Sequence, residues 1–597
     1  MFTARRVLIA ATLFAPLALT SCGKKNNTET QPPITPAPAV DAEATPSIAT
    51  PPPAAVEHVN VTGSIEGLGD IFGSVKMMTE SWMPDDALDP QAQLQAILLG
   101  MGFGPGFWGN LDLDGLHAFS NATAINGGPD DNRLSASIAV VDARKLIENL
   151  PQSQRPSPLG EGMWELAIDA TRLLMREQGK ELLLGLSTGD VDQAGKLRAT
   201  TSAGRRLRLR ATNVPTDDID PASVLDGLPP DSKLVKDLSA VLRELDAITF
   251  ETDVGTTRDL QVELGAAAPF HKLGLEPIGK PRAASTALEA RLPGNPMFVT
   301  TMSWGDPALL HSLIDSLPVS DLPEPINGIA RRAIESSHAL LDQVASDVAI
   351  AMYINKKGQA TFLVAADVKD EAKTKAGLQG IHQVLLDGAQ AQATMTGNSK
   401  SASLSAKLDL DGLKVPGGKA DRLTVTFPKD LMPDVRKAKI FLRKSSLDTI
   451  SYVDEGTAIL AIGAGARSLV TDIAKSLGKT RKSSLAQHAG LGALRQSMGG
   501  CQVCIAGDPL DYLRFRLMLV RDDADDKAVV KKAGEKMYGL SKVASVGDSA
   551  FGIKVQADTA SVGLVVPQGT LYAPRASVET MIEINSFVDD PQTVDAD

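Results

Sequence analysis

The chain is poor in the residues that metal, thiol and sugar chemistry use. Only three of its 597 residues are cysteine, and seven are histidine: His58, His117, His271, His311, His338, His382 and His488. No His-Glu-x-x-His places two ligands on one helical face. No second cysteine pair supplies the four ligands of a structural zinc. Each lone histidine therefore reads as surface or satisfied core, and neither a metal nor a cofactor is expected. Aromatic residues make up 4% of the chain, too few for a platform of stacked rings that holds sugars. There is no long basic run and the formal charge is −12, which argues against nucleic acid as a partner. The apolar run Val7–Leu19 is shorter than the ~20 residues a membrane-spanning helix needs.

Motifs for phosphate, nucleophile and calcium chemistry are also missing. Gly104-Pro105-Gly106-Phe107-Trp108-Gly109 matches Gly-x-Gly-x-x-Gly by letter. However, a helical stretch precedes it, and Pro105 sits in the would-be cradle, whereas a dinucleotide site needs a strand first. Ile473 stands where a phosphate loop ending in Gly478-Lys479-Thr480 requires glycine. Ser497 follows Arg495 at the position of the elbow's first glycine. Asp112-Leu113-Asp114-Gly115 lacks the distal glutamate of a calcium loop and reads as a turn. Dispersed carboxylates leave a hydrolase open.

What is present begins at the N-terminus. Arg5 and Arg6 precede the short apolar run, and Leu19-Thr20-Ser21-Cys22 follows it. This arrangement resembles the signal peptide and lipobox of bacterial lipoproteins. The resemblance implies cleavage before Cys22, lipid on its sulfur and acylation of its new amino group. Several acyl chains hold a protein to a membrane that one chain holds only marginally. Gly23, rather than Asp, follows the cysteine; by resemblance to enterobacterial sorting this directs the protein to the outer membrane. Gly23 to about Ala55 is rich in Pro, Thr, Ala and Asn, and cannot bury enough surface to offset ordering. As a tether it reaches on the order of 100 Å if extended, or about 30 Å as a coil. Cleavage removes Arg5 and Arg6 and leaves a charge of −14, which suits a soluble envelope body.

Behind the tether, β-rich runs lead through small or acidic turns into helices. Met297–Trp304 leads through Gly305-Asp306-Pro307 into Ala308–Leu317, with Asp306 as N-cap. Leu134–Val141 leads through Asp142, Thr361–Ala366 through Asp367, and Val503–Ile505 through Asp508-Pro509. The order of units repeats about a divide near Pro277–Pro296. The expected fold is α+β: two diverged halves, each a largely antiparallel sheet with helices packed on one face. The expected divisions are 1–21 signal peptide, 22–57 lipidated cysteine and tether, 58–280 first domain and 290–590 second. Within the first half, 162–177 reads as a helix. The body resembles, by pattern alone, exported bacterial proteins with repeated strand–helix units, a group with no activity to transfer.

Three features carry candidate chemistry. Cys501-Gln502-Val503-Cys504 in an oxidising compartment reads as a structural disulfide, with free thiols or a redox pair as alternatives. A straight strand would point the two cysteines to opposite faces, so a bond needs a turn, which Gly499-Gly500 permits. Arg206, Arg208 and Arg210 alternate with Leu207 and Leu209, so a strand lines the arginines on one face. That face either binds an anion or pairs with acidic neighbours. Met101–Trp108, with Phe103, Phe107 and Trp108, either contacts a partner or lipid or folds over the core. The expected function is that of an outer-membrane or periplasm-facing lipoprotein with a non-enzymatic binding or scaffolding role in the cell envelope, held by its anchor with a periplasmic or surface face and meeting an envelope protein partner. The alternatives are a carrier of lipid or another apolar ligand on the sheet's concave face, and a thiol–disulfide enzyme through Cys501 and Cys504.

Overall fold

A computed structural model describes residues 58–591, apart from 84–86, 125–130, 169–170, 201–205, 215–232, 274–278, 316–318, 320–321, 323, 356–357, 396–403, 430–435, 478, 480, 525, 544 and 590. Cys22 and the tether lie outside the described residues. The described strands are β1 (His58–Glu66), β2 (Leu116–Ala124), β3 (Arg133–Ala139), β4 (Ser157–Gly160), β5 (Met163–Ile168), β6 (Thr171–Gln178), β7 (Glu181–Gly185), β8 (Leu207–Thr212), β9 (Ala247–Gly255) and β10 (Arg258–Ala267). They continue with β11 (Phe298–Ser303), β12 (Val344–Ile354), β13 (Ala360–Val368), β14 (Ser405–Val415), β15 (Gly418–Thr426), β16 (Ser446–Asp454), β17 (Thr457–Gly463), β18 (Val503–Gly507), β19 (Ser549–Val555) and β20 (Thr559–Val566).

The main helices are α1 (Leu68–Trp82), α2 (Pro90–Gly100), α3 (Ala143–Glu148), α4 (Thr188–Thr200), α5 (Lys233–Arg243), α6 (Ala308–Asp315) and α7 (Ile326–Leu341). They continue with α8 (Glu371–Met395), α9 (Ala466–Ser476), α10 (Ala489–Met498), α11 (Pro509–Asp523), α12 (Lys527–Leu540) and α13 (Arg575–Asp589). None among the described residues is long and apolar enough to cross a membrane. Acidic caps start several of them: Asp142 accepts from Lys145 N at 3.0 Å, Asp508 from Leu510 N at 2.8 Å, and Asp306 from Ala308 N at 2.9 Å.

All twenty strands join one sheet, and every ladder is antiparallel. The spatial order is β4-β5-β6-β7-β3-β2-β1-β8-β9-β10-β20-β19-β18-β11-β12-β13-β17-β16-β15-β14. Read inward from either edge, the order is the same with ten added to each number. The ladder at the middle is β10–β20, from Leu260↔Val566 to Ala267↔Thr559. The sheet thus runs without a break across the divide near residues 277–296.

Two expectations need correction. Residues 162–177 form the β5–β6 hairpin, not a helix: Trp164 lies opposite Met175 and Leu166 opposite Leu173, a spacing of two. Helices also cover both faces of the sheet rather than one. In β7, Leu182 packs with Leu146 and Ile147 of α3, whereas Leu183 packs with Val191 and Ala194 of α4. In β17, Leu460 packs with Leu378 of α8, whereas Ile459 and Ala461 pack with Val470 and Ile473 of α9. Strands buried on both sides become continuous apolar runs, here Leu182–Leu184 and Ala458–Ile462.

Candidate functional site

The pairing register fixes which side chains share a face. On the face that carries α3 and α8, β1 presents Val61, Gly63 and Ile65 opposite Ala211, Leu209 and Leu207 of β8. Those lie opposite Ile248, Phe250 and Thr252 of β9, and then Ala266, Leu264 and Val262 of β10. Across the central ladder follow Ala560, Val562 and Leu564 of β20, then Val555, Ile553 and Phe551 of β19. Val503 and Ile505 of β18 complete the surface. Over these seven strands the paired positions on this face carry no charge, and their hydroxyls are Thr252 and, opposite Gly507, Ser549. A side chain at Gly63 would collide with the ring of Phe119, which lies over this face from β2.

Helices stand on the same face all around this floor. α5 closes one end of the strands, where Val241 packs with Ile248, Ala266, Val555 and Ala560. α11 closes the other end in the second half, through Met518 against Met352 and Ile354. α3 covers the β3–β7 side, and α7 and α8 cover the β13–β17 side. Among the described residues, side chains at the centre stay partly exposed. Leu264 is 52% exposed, Val562 40%, Leu564 37% and Phe551 37%, and they are cross-strand neighbours. Completing the burial of four such side chains is worth roughly 2–5 kcal/mol gross, from ~1.5–3 kcal/mol per fully buried side chain. This contiguous, partly exposed apolar patch makes the floor the candidate site.

The opposite face differs between the halves. In the second half α10 lies across it, with Leu494 and Met498 seated over Gly552 and Gly563. Arg495 donates to Glu289 Oε2 at 2.8 Å, to Oε1 at 2.5 Å and to Thr301 Oγ1 at 3.1 Å, all buried. A cavity of about 10 Å³, room for about one water, lies between this pair and the sulfurs. Cys501 and Cys504 are disulfide-bonded with Cα atoms 6.0 Å apart. The turn comes from Gly499 and Gly500, both at positive φ, so Cys501 precedes β18 while Cys504 lies within it. Each cysteine is 1% exposed, which closes the sulfurs to a thiol partner. At the cavity rim burial pushes Asp347 up, against the pull of Arg282 at 3.2 Å.

In the first half the arginine stripe occupies the equivalent face. Arg206 pairs with Asp70 at 2.6 Å and Asp253 at 3.5 Å, and Arg208 with Glu251 at 2.7 Å, directly across the β8–β9 ladder. Burial raises the Asp70 carboxyl, but hydrogen bonds from Thr256 and the charge of Arg206 outweigh it and hold it low. Arg210, opposite Thr249, extends the row. The stripe is thus built largely into ion pairs with β9 and α1.

The aromatic loop folds inward. Phe103 packs edge-on against Phe107 at 4.8 Å, Phe107 joins the core over α3, and Trp108 stacks on Phe72 of α1 at 6.0 Å. Met101 stays outside, together with Ile97 and Leu99 of α2. An open groove of about 670 Å³ lies at the start of α9, lined by Tyr353, Asn355, Arg443, Arg467 and Lys475.

No family model, curated protein or solved structure matches the chain. Charge alternation singles out Arg206, Arg208 and Arg210 and draws attention away from Leu207 and Leu209 on the other side of the same strand. The signal that points to the floor is the alternation in Ile248-Phe250-Thr252 and Val562-Leu564-Val566.

Proposed function

We propose that the protein is an outer-membrane lipoprotein with a non-enzymatic binding role, exercised through the open apolar floor of its sheet. The carrying observation is that floor: seven adjoining strands whose paired positions on this face carry no charge, exposed at Leu264, Val562, Leu564 and Phe551. The anchor rests on Leu19-Thr20-Ser21-Cys22 behind a short apolar run. The reading of two diverged halves draws support from the strand order, which repeats on adding ten to each strand. On this reading the floor lies where the halves meet, across β10 and β20. Against a thiol–disulfide enzyme stands the burial of Cys501 and Cys504 beneath α10.

The test is a photo-reactive benzoylphenylalanine at Phe551, irradiated in cells, with the same residue at Arg210 on the opposite face as control. A recurrent adduct at 551 and none at 210 is expected. Equal labelling, or none, removes the floor as the binding surface.

A further inference from the structure

We infer that the occupant of this floor is the acyl chain of a membrane phospholipid, an assignment that rests on the binding role proposed above. The chemistry of the floor selects it. An extended peptide laid on a sheet face finds no main-chain partner there, and these strands offer almost no side-chain hydrogen bond either. Its own N–H and C=O groups would be buried unsatisfied. A hydrocarbon chain has no such groups to satisfy.

The shape selects it as well. α3, α5, α8 and α11 stand on the same face around the floor. Each helix is ~10 Å thick, so the floor is recessed by about that depth. A second copy of this sheet, bearing the same helices, cannot lower its own recessed floor onto this one. A slender chain can enter. Seven strands at ~4.8 Å spacing make a floor about 29 Å long. One leaflet's hydrocarbon is ~15 Å deep, half of the bilayer's ~30 Å core, so the floor is long enough for a phospholipid's chains. Among acyl sources, phospholipid is the one a lipid-tethered body is held beside. The most exposed floor residues, Leu264, Val562, Leu564 and Phe551, lie on β10, β20 and β19, the fourth to sixth of its seven strands.

The experiment uses the full chain reconstituted in vesicles of palmitoyl-oleoyl phosphatidylethanolamine and phosphatidylglycerol. Benzoylphenylalanine is placed at Leu564, and in a second preparation at Leu99, which is exposed and apolar but lies on α2. A phospholipid adduct at 564 at least tenfold above that at 99 is expected. It should fall to the level at 99 when Leu264→Lys and Val562→Lys are added. Both positions are partly exposed, so circular dichroism should show the variant folded. Equal phospholipid labelling at 564 and 99, or a self-adduct at 564, overturns the inference. If the in-cell probe at Phe551 then captures a protein, the binding role stands and only the occupant is wrong. If it captures nothing, both fall.

Discussion

Arg495 of α10 holds both carboxylate oxygens of Glu289, at 2.8 and 2.5 Å, inside the face of the sheet opposite the open floor. Glu289 is 2% exposed and Arg495 4%, so bulk water does not reach either charge. Removing one partner from such a pair costs about 3–5 kcal/mol, because the other is left buried and uncompensated. Arg495→Met should therefore destabilise by that order in urea unfolding. Glu289→Leu combined with Arg495→Met should recover most of the loss. A single variant as stable as the parent would mean that the pair is solvated.

Gly563 and Gly552 face each other across β19–β20 and form the seat of α10. A methyl group on Gly552 would lie 2.8 Å from Met498 Sδ and 2.9 Å from Leu494 Cδ2, and one on Gly563 would collide with Met498. Gly563→Ala should cost about 1–3 kcal/mol, as overpacking does. Met498→Ala in the same chain should recover part of it. Thermal melts of the four proteins make the cycle, and additive losses would show that the two sites do not touch.

Much of the local structure can be read from the chain, but little of the assembly. Asp142, Asp306 and Asp508 announce helices because capping is a matter of a few neighbouring residues. Trp164-Leu166-Ile168 alternates just as clearly, yet the surrounding Ala, Glu, Arg and Leu favour helix, and pairing of β5 with β6, and of β6 with β7, overrides that propensity. The apolar floor is out of reach for a different reason. It is assembled from β1, β8, β9, β10, β20, β19 and β18, which come from both ends of the chain. No single strand shows more than three or four of its residues, and half of the signal in Arg206-Leu207-Arg208-Leu209-Arg210 belongs to the opposite face. Cys501 and Cys504 stand out because spacing and compartment speak locally. Arg495 and Glu289, 206 residues apart, have no such signal.

The Cys501–Cys504 bond closes a very short loop, so the entropy it removes from the unfolded chain is small, about 2 kcal/mol by the chain-entropy relation. Cys501→Ala with Cys504→Ala should lower stability by about that amount and leave labelling at Phe551 unchanged. In the native parent, both sulfurs should resist reduction and alkylation until the protein unfolds, since each cysteine is 1% exposed. Rapid reduction of the folded protein at neutral pH, or loss of labelling in the alanine variant, would return the pair to a functional role.

His382 gives the fold a dependence on pH whose sign can be worked out. It lies on α8, wholly buried, and among the described residues neither ring nitrogen finds a hydrogen-bond partner. Burial lowers its pKa to about 4, with Asp421 opposing weakly. In the unfolded chain it titrates near 6.5. Above about pH 6.5 both states are neutral and the residue adds no slope. Between about 6.5 and 4 the unfolded chain takes up a proton that the folded one refuses, so stability falls as pH falls. The full loss is on the order of 3 kcal/mol, since a tenfold change in proton affinity is worth ~1.4 kcal/mol. His382→Met removes the titration and the unpaired nitrogens together. It should match or exceed the parent's stability at pH 7.5, since an apolar group of similar size replaces an unsatisfied one. Its advantage should then widen as pH drops to 4.5. Urea midpoints for both proteins across that range measure the difference, which cancels the shared contribution of His488, also held low by burial. Parallel curves would place a hydrogen-bond partner or water at the ring and refute the assignment.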